Sequence, residues 1–223
     1  MVNSASRIVQ DLVNKDISLQ NALEKSYGNY SAIARMLKPK VEETLGRRIK
    51  LEGLITSVKR AGRSYKLPKE NIAGIVANSV INLRTGVAKI SVEKTKKTLV
   101  NVSKVLAEFI PEQFIQVIEG VSGITLIFDQ KFFDNIYSIF RKEDVSEAKR
   151  NLAAISIQSP REIIDTPGCI VVFYNSISRK HINIEETMSC STDTIIVVRI
   201  EDVGESFSVL TDLISEAAKT AGI

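Results

Sequence analysis

A few residues near the C-terminal third of this 223-residue chain could together hold a small zwitterion. Pro167-Gly168 precedes an apolar run that reads as a helix. The first N–H groups, at Gly168–Ile170, would have no partner within that helix and would carry a partial positive charge suited to a carboxylate. Asn183, between Ile182 and Ile184, offers both a donor and an acceptor. Asp165 or Glu162, in the segment before the helix, could pair with an ammonium. The plainer reading is that Pro-Gly only starts a helix and that Asn183 satisfies nearby backbone.

A second set of residues is basic. Arg47, Arg48, Lys50, Lys59, Arg60 and Arg63 surround a segment, Leu51 to Arg60, whose Leu51, Leu54, Ile55 and Val58 fall at helical spacing. Its outward residues would be Lys50, Glu52, Gly53, Thr56, Ser57, Lys59 and Arg60. Thr56 and Ser57 could reach base edges or phosphates, and the cations would engage phosphate. Charge is divided along the chain to match. Residues 1–75 carry 14 Lys/Arg against 7 Asp/Glu, whereas residues 151–223 carry 5 against 10. A cationic head gains affinity for phosphate by counterion release, although an ordinary solvated surface would produce the same balance.

Catalytic chemistry finds little support. His181 is the single histidine and sits at a strand start. Cys169 and Cys190 have no His-Asn pattern around them, and their spacing fits neither a disulfide scaffold nor a zinc site. Neither G-x-x-x-x-G-K-[ST] nor G-x-G-x-x-G occurs. Glu185 and Glu186 are adjacent in an expected strand, so their side chains should point to opposite faces and not act as a carboxylate pair. The chain therefore reads as a non-enzyme, with no cofactor and no metal. No stretch approaches ~18 consecutive apolar residues, and two unpaired cysteines suit a reducing compartment, so a cytosolic protein without membrane contact is expected.

The elements that must carry these residues follow from pattern. The head reads as three or four short helices: one capped at Ser4 or Ser6, a second from Ser18 to about Tyr27, a third after Asn29 or Ser31, and the Leu51–Arg60 helix. Pro39 should kink or restart the third. "RAGRSYKLPKENIAGIVA" reads as a basic wing or linker, with a boundary near residue 75. Residues 76–93 read as two strands around a Thr85-Gly86 turn. A helix follows, with Leu99, Val102, Val105 and Leu106 inward; then come two strands and a helix bearing Phe132, Phe133, Tyr137 and Phe140. That aromatic stripe has helical spacing and reads as core, not as a base-stacking platform. The β-α-β-β-α order returns over 152–219, ending in a helix with Phe207, Leu210, Leu213 and Ile214 inward.

"TPGCIVVFYNSISRKHINIEETMSCSTDTIIVV", residues 166–198, resembles the ACT domain, particularly that of aspartate kinases. Pro-Gly opens the first helix, a strand begins Ile-Asn-Ile, and a polar loop leads to a β-branched strand. "SPREIIDTPG" departs from the family's glycine-bearing loop. The middle repeat matches in order only, as a degenerate copy. The whole is similar to archaeal regulators of amino-acid metabolism that carry a helical head, and "YSAIARML" with the following basic helix resembles prokaryotic helix-turn-helix modules. The resemblance implies side-by-side pairing of ACT sheets into a homodimer or higher homo-oligomer. It also implies an amino-acid effector held by Asp165, Thr166, Pro167, Gly168, Cys169, Asn183 and Ile184.

The expected fold class is α+β: a small helical, helix-turn-helix-like bundle over 1–75, a degenerate ferredoxin-like ACT-type unit over 76–150, and an ACT domain over 151–223. The expected function is an amino-acid-responsive transcriptional regulator, binding duplex DNA through Arg47, Arg48, Lys50, Thr56, Ser57, Lys59, Arg60 and Arg63. The alternatives are an allosteric subunit docking on a biosynthetic enzyme, or an ACT assembly module without ligand.

Overall fold

The computed structural model describes residues 4–24, 26–64, 71–109 and 114–223. Lys66, Pro68 and Lys69 of the expected wing lie outside the described residues. The chain divides into two compact units, Met1–Lys69 and Glu70–Ile223.

Among its described residues the first unit holds four helices: α1 (Ala5–Asn14), α2 (Ile17–Glu24), α3 (Tyr30–Leu45) and α4 (Leu51–Ser64). Polar side chains start three of them. Ser4 accepts from the Arg7 N–H, Asp16 from Ser18 and Leu19, and Asn29 from Ser31 and Ala32. Ile8, Val9, Val13, Leu23, Ala34, Leu37, Val41, Leu54 and Val58 close one core. Pro39 does not restart α3, which runs through it from Tyr30 to Leu45. It faces solvent, as does Arg35, whose carbonyl loses its helical partner to the proline and can be satisfied by water.

The second unit has one antiparallel six-stranded sheet, ordered β2-β3-β1-β4-β6-β5. Helix α5 (Ile72–Ala77) precedes β1 (Val80–Glu93), α6 (Lys96–Phe109), β2 (Ile115–Glu119), β3 (Gly123–Asp129) and α7 (Phe133–Ile139). Then follow β4 (Val145–Gln158), α8 (Cys169–Ser178), β5 (Glu186–Cys190), β6 (Asp193–Arg199) and α9 (Val203–Ala221). The expected hairpin over 76–93 is instead the end of α5 followed by a single 14-residue strand. Gly86 adopts φ +65, but the left-handed residue makes a shift of register with β4, not a reversal. The expected boundary at 150/151 falls inside β4, which is also 14 residues long, and the one near 75 falls inside α5.

The long strands each serve two lobes. Residues 87–93 of β1 pair with β3, while Val80–Arg84 pair with the end of β4, which pairs in turn with β6. Helices α6 and α7 cover Ala88, Ile90 and Val92 of one lobe, with Phe133, Ile136 and Phe140 as core, so the aromatic stripe packs as expected. In α6, however, Leu99 is exposed; Thr98 and Asn101 turn inward, and the Asn101 amide donates to the Ile139 carbonyl at 3.1 Å. Helices α5, α8 and α9 lie with Ile155, Ile157, Ile196 and Val198 of the other lobe.

The helix-free faces are buried too. Val87, Ile127, Leu152, Ala154 and Val197 form a further core with Phe114, Ile118 and Met188 partly covered beside them. Lys89 on β1 bonds to Glu186 on β5 at 3.2 Å, although the sheet order sets three strand spacings between them. Across a flat sheet that is about 14 Å, and the registers set Glu186 level with Arg84, five residues along β1 from Lys89, so the pair would lie beyond the combined reach of the two side chains. The sheet therefore folds over at its bulges, and the two lobes close on each other.

Candidate effector site

The segment from β4 to α8 carries most of the expected effector residues. β4 ends at Gln158; Ser159 lies against Ser79, their hydroxyls 2.9 Å apart. Pro160 leads into a 3-10 turn, Arg161–Asp165, where the Thr166 hydroxyl donates back to the Glu162 carbonyl at 2.6 Å. Pro167 stands one residue before the helix cap. The cap is Gly168, at φ +83, which a residue with a Cβ adopts only under strain. Having no side chain, Gly168 gives this helix no side-chain cap.

The corresponding helix of the other lobe is finished differently. Thr95 and Thr98 bond reciprocally at the start of α6, each hydroxyl accepting from the other's backbone N–H at 2.9 and 3.2 Å. The start of α6 thus has a side-chain cap, whereas that of α8 has none among the described residues and its Cys169 N–H donates to the Thr166 carbonyl at 3.5 Å.

Two clefts meet at Thr166. One, of about 410 Å³, is lined by Asn71, Gly74, Ile75, Asn78, Pro160, Glu162 and Thr166. The other, of about 310 Å³, runs from Ile163 to Val171 and includes Asp165, Thr166, Pro167 and Gly168. Helix α5 supplies the far wall of the first, which sequence reading missed. Asn71 caps α5 by accepting from Gly74 N–H at 2.9 Å, and the Asn78 amide donates to the Gly74 carbonyl at 2.8 Å. The signal was present as Asn71 followed by an apolar run, but six residues are too few to show a helical period.

Asp165, Thr166, Pro167 and Gly168 are brought together. Cys169 is adjacent but its side chain is fully buried in the core, and that burial pushes its thiol pKa up. Only its backbone can face a ligand. Asn183 is exposed and lines neither cleft; Ile184 packs against the core. The expected strand from His181 starts only at Glu186, so Asn183 sits in an irregular lead-in, after His181 at φ +58.

A charged cluster absent from the sequence reading lies between the lobes. Lys89, 3% exposed, reaches Glu147 at 2.8 Å, Glu186 at 3.2 Å, Glu185 at 3.6 Å and the Glu185 carbonyl at 3.2 Å. Lys149 bonds to Glu185 at 2.6 Å and Glu147 at 2.9 Å, and Arg199 to Glu185 at 3.1 Å. The bond from Lys149, against the opposing cost of burial, holds the Glu185 carboxyl at about 2, with Arg199 contributing. Hydrogen bonds from Lys89 and Lys149 likewise lower Glu147. Glu185 and Glu186 thus do act on one partner, contrary to expectation. The physical reason is that strand alternation begins only at Glu186, so the two side chains are not constrained to opposite faces.

In the head, Arg47, Arg48, Lys50, Thr56, Lys59, Arg60 and Arg63 are exposed. Ser57 is not: it is buried, and its hydroxyl donates to the Gly53 carbonyl at 3.0 Å. The buried face of α4 runs through Leu54, Ser57, Val58 and Ala61, and back-bonding to the helix lets a small hydroxyl sit inward. Thr56 is similarly bonded to the Glu52 carbonyl.

No protein-family model matches the chain, and no curated protein does. Solved structures do. Aspartate kinase from Synechocystis superposes with a TM-score of 0.52 at 16% identity, over 75% of this chain and 31% of that one. The Clostridium acetobutylicum aspartate kinase gives 0.51 at 17%, over 61% and 34%. The ligand-free regulatory subunit of aspartate kinase from Thermus thermophilus gives 0.50 at 15%, over 60% and 97%. The chain thus spans about a third of each full kinase and nearly all of the separate subunit. At these identities the likeness is one of fold: mixed helix and antiparallel sheet, resembling ACT-type regulatory domains.

Proposed function

We propose that this protein is an amino-acid-responsive regulator that takes its effector at the β4–α8 segment. The observation that carries the reading is the start of α8, without a side-chain cap, beside a cleft holding Glu162, Asn71 and Asn78. The N–H groups behind Gly168 suit the ligand's carboxylate, and Glu162 or Asp165 its ammonium. Asn183 enters the site only from a second copy, in a homo-oligomer paired through the ACT-type sheets. The test is the thermal midpoint of the full chain with each of the twenty amino acids. At a hundredfold excess over Kd an effector adds about 2.7 kcal/mol. One or a few amino acids should raise the midpoint, and Glu162→Gln should remove the gain. A flat response to all twenty sinks the reading.

The target of the regulation is duplex DNA, engaged at phosphate by the exposed Arg47, Arg48, Lys50, Lys59, Arg60 and Arg63. With Ser57 turned inward, little remains on α4 to read bases, so binding should be strongly salt-dependent and weakly sequence-dependent. A mobility shift at low salt that vanishes near physiological salt is the expected result. Absence of any shift at low salt favours the second reading, a regulatory subunit that docks on a biosynthetic enzyme. The Thermus subunit, a regulatory chain of similar extent to this second unit, supports that alternative.

A further inference from the structure

A polar cleft of about 590 Å³ lies at the elbow where β1 and β4 change partners. It shares no lining residue with the clefts at α8, and its volume lies in the range of small-molecule sites. Arg84, Gly86, Asp129, Gln130, Lys131, Asp134 and Arg150 line it with Thr85, so every side chain present is polar or charged and the cations outnumber the acids by one.

Two guanidiniums flank this cleft, and both are held in place. The Arg84 guanidinium carbon stands 5.0 Å from the Phe114 ring centre, with one terminal nitrogen 2.9 Å from Asp129. The Arg150 guanidinium stands 4.0 Å from the Phe133 ring centre and is paired with Asp134. Each thus lies against an aromatic ring and is fixed by a single carboxylate oxygen, while about half of each side chain stays open to solvent (51% and 43% exposed). A guanidinium carries five N–H donors in a rigid fork, and stacking on a ring orients it without using them. The backbone here is also constrained. Gly86 is at φ +65 and Asn151 at φ +58, and the Asn151 N–H donates to the Gln130 side chain at 2.5 Å. Open space surrounds the missing Cβ of Gly86.

We infer that this elbow cleft is a binding site for a small dianion, a phosphate or a pair of carboxylates, gripped by the forks of Arg84 and Arg150 with Lys131 adding charge. The site is independent of the reading of the α8 clefts. A ligand there would bridge the strand halves that belong to different lobes, and so would stiffen the elbow.

Isothermal titration of the full chain at constant ionic strength, with chloride as the balancing salt, tests this with inorganic phosphate and with succinate as probes. At least one should saturate at one per chain. Phosphate alone identifies a phosphate site, succinate alone a dicarboxylate site, and both a site that reads charge. Arg84→Gln and Arg150→Gln should each weaken binding at least tenfold, while Arg179→Gln, an exposed arginine at the C-cap of α8 that does not line the cleft, leaves it unchanged. Where a glutamine variant fails to fold, the lysine variant carries the same comparison, because it keeps the charge but loses the fork. Saturation by neither probe, or binding that survives the Arg84/Arg150 double substitution, overturns the proposal and leaves the two arginines as structural ion pairs.

Discussion

Lys89 can lie 3% exposed because every direction its ammonium faces holds an acceptor: three carboxylates and a carbonyl. Removing it takes from Glu186 the cation that it pairs with. Lys89→Met should destabilise the second unit by about 1–3 kcal/mol, read from urea unfolding, since Glu186 and the Glu185 carbonyl lose a bond while Lys149 and Arg199 still hold Glu147 and Glu185. Glu185 makes the cluster acid-sensitive. Its folded pKa, about 2, lies below the ordinary 4.5, so its contribution is complete above pH 4.5 and lost as pH falls towards 2. The wild-type chain should lose on the order of 3 kcal/mol across that window, and Glu185→Gln should flatten that limb of the stability curve. Thr194 is the opposite case. Its hydroxyl is buried with no partner among the described residues, so Thr194→Val should leave stability unchanged or raise it by about 1 kcal/mol. None of these roles is legible in the sequence. A lysine in a strand reads as surface, and Glu185 lies 96 residues from Lys89.

Elements were more legible where periodicity ran long enough. The aromatic stripe of α7 packs on its core as spaced, and in α9 Leu210, Leu213 and Ile214 turn to the core, whereas Ser206, not Phe207, is buried in the helix's first turns. Helix α5 has only six residues, and β1 was masked by Thr85-Gly86, a pair that looks like a hairpin turn. A left-handed glycine can serve a turn or a bulge equally, and only the partner strand decides which. Here β4 continues past it, with Val87 still opposite Leu152. Gly86→Ala should therefore lower the thermal midpoint, at a cost of about 1–2 kcal/mol from the left-handed backbone alone. Asn151→Gly should be close to neutral, because its own positive φ suits glycine better. The candidate effector segment was legible from Pro167-Gly168, whereas its α5 wall was not, because that wall is joined to it only in the fold.

At the scale of the molecule, the head core contains only residues from 8 to 61, and the three other cores only residues from 75 to 210. A fragment covering residues 70–223 should therefore fold alone, with an unfolding transition matching one seen in the full chain by calorimetry. Fragments 70–150 and 151–223 made separately should not fold, because each would hold part of β4. The β-α-β-β-α order repeats as the sequence suggests, yet β1 and β4 each belong to both repeats. That sharing bears on heredity. A repeat that owns all its strands can be duplicated, lost or exchanged between genes as a unit. Here a crossover between the repeats would cut β4 and leave neither side a complete sheet, so selection must treat the pair as one indivisible locus.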